Sequence, residues 1–178
     1  IVEGKNLVWD FSGGLGAQFF STYAHVILSP FTFIFLIVPE SAMPYAIFYV
    51  TALKTGVASL TSYFYIKRFV KNPHYAVIGS LLYSFSSFNA WNLVYIFMDF
   101  IAFFPLFLIS LDELCINNRR GVFTLSVLLM ALLNASTFYG IAVFCVLYFF
   151  IRCADKNDGF KLKGIFKVAG EAILGCLM

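Results

Sequence analysis

An all-α transmembrane helical bundle is the fold this sequence predicts. Three observations lead there: charge is scarce, apolar residues run unbroken for long stretches, and positive charge gathers in three short clusters. Of 178 residues, 61% are hydrophobic and only 12% are charged, and the mean hydropathy is +0.88. Soluble domains carry about 25% charged residues, so this chain has too few to cover a water-facing surface. Tyr45–Ile66 holds one charge, Lys54, while Tyr75–Phe97 and Gly121–Ile151 hold none. Runs of roughly 20 apolar residues match a hydrocarbon layer of about 30 Å.

Orientation follows from the clusters. Lys67, Arg68, Lys71 and His74 form the first, Arg119 and Arg120 the second, and Arg152, Lys156, Lys161, Lys163 and Lys167 the third. Short cytoplasmic loops are enriched in Lys and Arg, so all three are expected on the inner side. Tyr45–Ile66 then runs inward, Tyr75–Phe97 outward and Phe100–Ile116 inward, with Met98 and Asp99 as the outer connection. Gly121–Ile151 would extend about 46 Å as one helix, with basic residues at both ends. Two shorter helices reconcile this with the orientation rule, and Asn134–Gly140 is the polar stretch where they would part. Interrupted backbone at membrane depth is tolerated against protein or a water-filled cavity, so that break is expected to line a cavity.

Residues 1–44 read as an outer loop with juxtamembrane helices, and 45–178 as the bundle, including short interfacial or re-entrant helices. Glu3–Gly16 is polar and glycine-rich. Phe19–Val38 is apolar but carries Ser29-Pro30, and the residue before a proline resists the helical region. Two short interfacial helices or one kinked span both satisfy it. The sequence opens on Ile rather than Met, and Gly164–Met178 is an apolar stretch shorter than a span, so a truncated bundle is expected. The four cysteines (Cys115, Cys145, Cys153, Cys176) lack CxxC spacing and read as reduced thiols. The modest basic surplus belongs to the inner-face bias and implies no nucleic acid.

Several residues invite a chemical reading. Lys54 lies mid-span, where ionisable residues mark functional sites or pair with a polar neighbour. Asp99, at the outer mouth after Asn89 and Trp91, can act as general base, bind a divalent metal, hydrogen-bond a sugar or cap a helix. Trp9-Asp10 beside glycines suits carbohydrate through ring stacking and a carboxylate acceptor, and suits an ordinary loop equally. Asn134 and Tyr139 frame the expected break. Asp112 and Glu113 read as a solvated inner helix end.

Taken in order, Trp9-Asp-Phe-Ser-Gly-Gly-Leu-Gly16, Tyr23, Leu28-Ser-Pro-Phe31, Ala52-Leu-Lys-Thr-Gly56, Leu82-Tyr-Ser-Phe-Ser86, Met98–Leu106 and Asn134–Gly140 resemble the YfhO family of bacterial membrane proteins over nearly the whole chain. The resemblance implies a GT-C-type glycosyltransferase of the cytoplasmic membrane, passing many times through it. Such an enzyme would move a sugar from a polyprenyl-phosphate carrier to a cell-envelope acceptor, with lipoteichoic acid among those proposed. It implies that the principal catalytic carboxylate lies upstream of Ile1. It carries over catalytic roles for Asp99 and Asp10 and substrate contact for Lys54, Asn134 and Tyr139; Trp9, Asn89 and Trp91 are candidates for substrate contact by their places beside these acids. A cation at Lys54 could neutralise the carrier phosphate. The metal stays open, and His25 stands where the family more often has tyrosine. A transporter or lipid flippase without covalent chemistry is the alternative, since it would use the same broken helices and buried lysine.

Overall fold

The computed structural model describes residues 9–10, 17–18, 29–92, 99–117, 119, 121–133, 135–155 and 162–177. Apart from one short antiparallel pair, β1 (Trp9–Asp10) with β2 (Ala17–Gln18), these residues build an all-helical fold. The polar stretch expected as a loop is thus the start of a small hairpin, with Trp9 opposite Gln18 and Asp10 opposite Ala17.

Ser29-Pro30 marks the boundary the sequence places there. The chain turns, with the Thr32 amide donating to the Ser29 carbonyl at 3.0 Å, and continues as the single-turn helix α1 (Thr32–Phe35). A short 3-10 turn over Glu40–Ala42 then leads into α2 (Met43–Ile66), whose Pro44 sits in the first turn, where a missing N–H costs nothing. Asn72 caps α3 (Pro73–Ser84) by accepting from the His74 amide. The apolar stretch Tyr75–Phe97 is not one helix. It breaks after Ser84, and α4 (Ser87–Asn92) follows. Asn89 fastens the break by donating from Nδ2 to the Tyr83 carbonyl at 2.6 Å, and its own amide donates to Ser86 Oγ at 3.3 Å. Hydropathy does not register this interruption, because the serine and asparagine side chains return their hydrogen bonds to nearby backbone.

α5 (Phe100–Asn117) is the one helix among the described residues both long and apolar enough to cross a membrane. α2 is longer, at 24 residues, but Lys54 and its threonines and serines dilute it. Gly121 then adopts φ 86°, a left-handed conformation that glycine accepts without steric penalty. The chain turns there into α6 (Val122–Leu133), and α7 (Ala135–Asp155) follows. The run Gly121–Ile151 is therefore two helices, as its charge pattern predicts: Ser126 meets Ser110 and Tyr148 meets Asp112, a return that one straight helix could not make. Asn134 itself lies outside the described residues. The last helix, α8 (Leu162–Leu177), packs on α6. A Cβ on Gly175 would lie 2.7 Å from the Thr124 carbonyl oxygen, so no larger residue allows that approach.

α2 packs between α3 and α5, and α5 packs also on α6 and α7. Contacts set the directions: Lys54 meets Asp99 and Arg68 meets Glu113, so α2 and α5 run the same way, while Tyr83 meets Ile101 and α3 runs back. Phe104 and Asp112 on α5 meet Phe144 and Tyr148 on α7, so α7 also runs with α5. These directions agree with the orientation drawn from charge. Polarity is inverted relative to a soluble domain. Leu36, Ile37, Leu82, Tyr139 and Leu177 are each at least 70% exposed, while Lys54, Asp99, Asp112, Ser80 and Ser84 are buried. An exterior this apolar is what a lipid-facing surface requires.

Candidate functional site

Lys54, Ala58, Thr61 and Tyr65 fall on one face of α2 by helical spacing, and the first three are at most 4% exposed. An unpaired lysine at that depth would cost about 2.5–3.5 kcal/mol on insertion scales. The fold supplies a partner. Asp99 sits just before α5, its carbonyl accepting from the Ala102 amide at 3.1 Å, and its Oδ1 lies 2.5 Å from Lys54 Nζ. The exposures of the two side chains are 2% and 0%. Ser29 completes the cluster: its hydroxyl donates to Asp99 Oδ2 and accepts from the Phe31 amide at 3.3 Å. The Phe31 ring lies 5.6 Å from Lys54 Nζ, within cation–π range.

Both carboxylate oxygens of Asp99 are thus occupied, one by an ammonium and one by a hydroxyl. In this arrangement Asp99 is closed to solvent, and a proton could reach it only after Lys54 lets go. It is the counter-ion of Lys54 in a site closed to solvent. The sequence placed Asp99 at an open outer mouth; the structure closes that position with Ser29 and Lys54. Ser29 was legible only as the residue before a proline, and no local signal connects it to a carboxylate far along the chain.

Directly below the cluster, α5 carries Pro105, which removes the N–H that would bond the Ile101 carbonyl. Tyr83 of α3 fills the gap, donating to that carbonyl at 2.9 Å, and Thr61 of α2 donates to the adjacent Ala102 carbonyl at 2.7 Å. Asn89 holds the Tyr83 backbone in turn, so it supports the helix start at Asp99 only through Tyr83 and the Ile101 carbonyl. Of the other sequence candidates, two stand on the exterior. Trp91 is 71% exposed and Tyr139 77% exposed. Trp9 and Asp10 belong to the hairpin by their backbone, and Asn134 lies outside the described residues. No group of three or more His, Cys, Asp or Glu that could hold a metal ion occurs among the described residues.

Two further features lie toward the other end of α5. Asp112 is 2% exposed rather than solvated; it accepts from Tyr148 at 3.1 Å, and Tyr148 shares a 3.0 Å hydrogen bond with Tyr65. One turn of side chains outward, Glu113 pairs with Arg68 at 2.7 Å and with Arg119 at 3.7 Å. Between α5, α6, α7 and α8 lies an apolar cavity of about 190 Å³, lined by residues that include Phe107, Phe123, Phe138, Cys145 and Ala172.

No curated protein and no solved structure matches the chain. The family described as bacterial membrane protein YfhO matches over residues 1–178. A bundle that pairs the charges it buries, Lys54 with Asp99, and turns many apolar side chains outward is what such a protein needs, and this chain belongs to the YfhO family of bacterial membrane proteins.

Proposed function

We propose that this chain is part of a GT-C-type glycosyltransferase, a multi-pass enzyme of the cytoplasmic membrane. It would move a sugar from a polyprenyl-phosphate carrier to a cell-envelope acceptor such as a teichoic-acid-type polymer. Residues 1–44 form the outer segment over the bundle of 45–178 in this reading. The observation that carries it is the buried Lys54–Asp99 pair, fastened by Ser29. A charge pair inside a membrane protein is expensive to assemble, and such residues mark functional sites by default. A lysine held charged in a dry site is suited to an anionic oxygen, because attraction between charges is stronger there than in water.

In the reaction, an acceptor hydroxyl attacks the anomeric carbon, and the bond from that carbon to the carrier phosphate oxygen breaks. The phosphate leaves with an added negative charge. Lys54 exchanges Asp99 for that phosphate and offsets the charge, while a carboxylate takes the hydroxyl proton. Asp99, once released by Lys54, and Asp10 in the hairpin are the candidates for that role. Trp9, Asn89, Trp91, Asn134 and Tyr139 would border donor or acceptor.

The test is sugar transfer in membrane vesicles by the double variant Lys54→Met/Asp99→Leu, which removes both charges together and leaves none stranded. Transfer should fall by roughly 10²-fold or more, the scale of a lost charge-stabilising group, while inserted protein stays near normal. Unchanged transfer by the inserted double variant would sink the reading. Movement of labelled carrier across the bilayer without sugar transfer would reassign the protein as a flippase.

A further inference from the structure

The cavity between α5, α6, α7 and α8 takes no part in the chemistry above. Its walls come from four helices: Phe107 of α5, Phe123 and Val127 of α6, Phe138, Cys145 and Phe149 of α7, and Val168 and Ala172 of α8. Every lining side chain is apolar or a thiol, so the space offers nothing to bond a water or a sugar. Apolar cavities of this kind stay dry, and one of about 150 Å³ holds a benzene ring. The present volume, about 190 Å³, therefore accommodates a short length of hydrocarbon chain.

The entrance is on α7. Val146 and Phe150 line the cavity yet are 54% and 40% exposed. Beside them Val143, Leu147 and Ile151 are 63%, 58% and 68% exposed. That strip is continuous apolar surface of a membrane protein, the kind of face that hydrocarbon chains cover. A positive charge stands beside the wall. Lys167 immediately precedes the lining residues Val168 and Ala169 on α8, and among the described residues it forms no ion pair. Basic pockets between membrane helices attract anionic headgroups.

We propose that this cavity and Lys167 form a site for an anionic phospholipid, one acyl chain entering between α7 and α8 and the phosphate lying against the Lys167 ammonium. The site is separate from the Lys54–Asp99 cluster and does not depend on the sugar-transfer reading. Ala172 keeps the wall open, and Cys145 lies 6% exposed within it, placing a native thiol where the chain would rest.

The experiment uses the whole protein in phosphatidylcholine vesicles containing trace photoreactive lipids with a diazirine near the chain terminus. Phosphatidylglycerol and phosphatidylcholine probes are compared, and cross-linked residues are mapped by mass spectrometry. The phosphatidylglycerol probe should mark α7 and α8 residues of the lining, and unlabelled phosphatidylglycerol should compete. Its preference over phosphatidylcholine should be about fivefold, the effect of one basic residue at a membrane surface. Lys167→Gln should remove that preference while leaving the cross-linked positions unchanged. Ala172→Phe should abolish lining cross-links from both probes, with surface cross-links elsewhere kept as the folding control. Absence of lining cross-links in the wild-type protein would overturn the proposal, as would equal labelling by the two probes. Competition by polyprenyl phosphate stronger than by phosphatidylglycerol would overturn it too, transferring the cavity to the carrier's tail.

Discussion

At the scale of single residues, the ion pair changes what a substitution at position 99 should do. From the sequence alone, Asp99→Asn looks harmless to stability, because asparagine caps helices about as well as aspartate. With Lys54 buried against it, the same change strands an ammonium in a site 2% exposed. Breaking one side of a buried pair costs about 3–5 kcal/mol, so Asp99→Asn should lower stability in detergent by that order. The double variant Lys54→Met/Asp99→Leu should recover most of it. Denaturation of the three proteins, followed by exposure of buried cysteines, measures the difference. Equal stability of single variant and wild type would mean that Lys54 finds another partner or loses its proton. Lys54 itself was legible as a charge in need of company. Asp99 was not legible as that company, because sequence records neighbours along the chain and the two meet only once α2 and α5 lie side by side.

At the scale of helices, α5 depends on its neighbours for its hydrogen bonding. Tyr83→Phe should leave the Ile101 carbonyl buried without a donor, a loss of about 1–3 kcal/mol. Pro105→Ala restores an N–H at the position that normally bonds that carbonyl. In the Pro105→Ala background, Tyr83→Phe should therefore cost far less, a coupling that a double-mutant cycle measures directly. Additive effects would show that the hydroxyl contributes through something other than the carbonyl that Pro105 leaves free. Helices α2 and α5 were legible as hydrophobic runs, and the pairing of α6 with α7 was legible from charge at both ends of one run. The break between α3 and α4 was not, since Ser84, Ser86 and Asn89 satisfy backbone at a cost in hydropathy too small to interrupt the pattern.

At the scale of the whole molecule, the inverted polarity and the matching helix directions make a topological prediction. Glu40, exposed before α2, and Arg119, 73% exposed after α5, should lie on opposite sides of the membrane. Cysteine placed at Glu40 should react with an impermeant maleimide in intact cells, and cysteine at Arg119 only after the membrane is opened. Labelling of both from outside would refute the orientation drawn from the basic clusters.

The carbonyl freed by Pro105 has a mechanical consequence. A helix with a complete ladder of internal bonds can slide past its neighbours, because its backbone asks nothing of them. α5 cannot, since Tyr83 of α3 fills the vacant rung at Ile101, Thr61 of α2 adds a bond to the next carbonyl, and Lys54 grips the residue just ahead of it. A slip of one residue, about 1.5 Å along the axis, would break all three attachments together. The three helices are thus tied to one another at one level of the bundle, so an axial shift of α5 has to carry α2 and α3 with it or break these bonds.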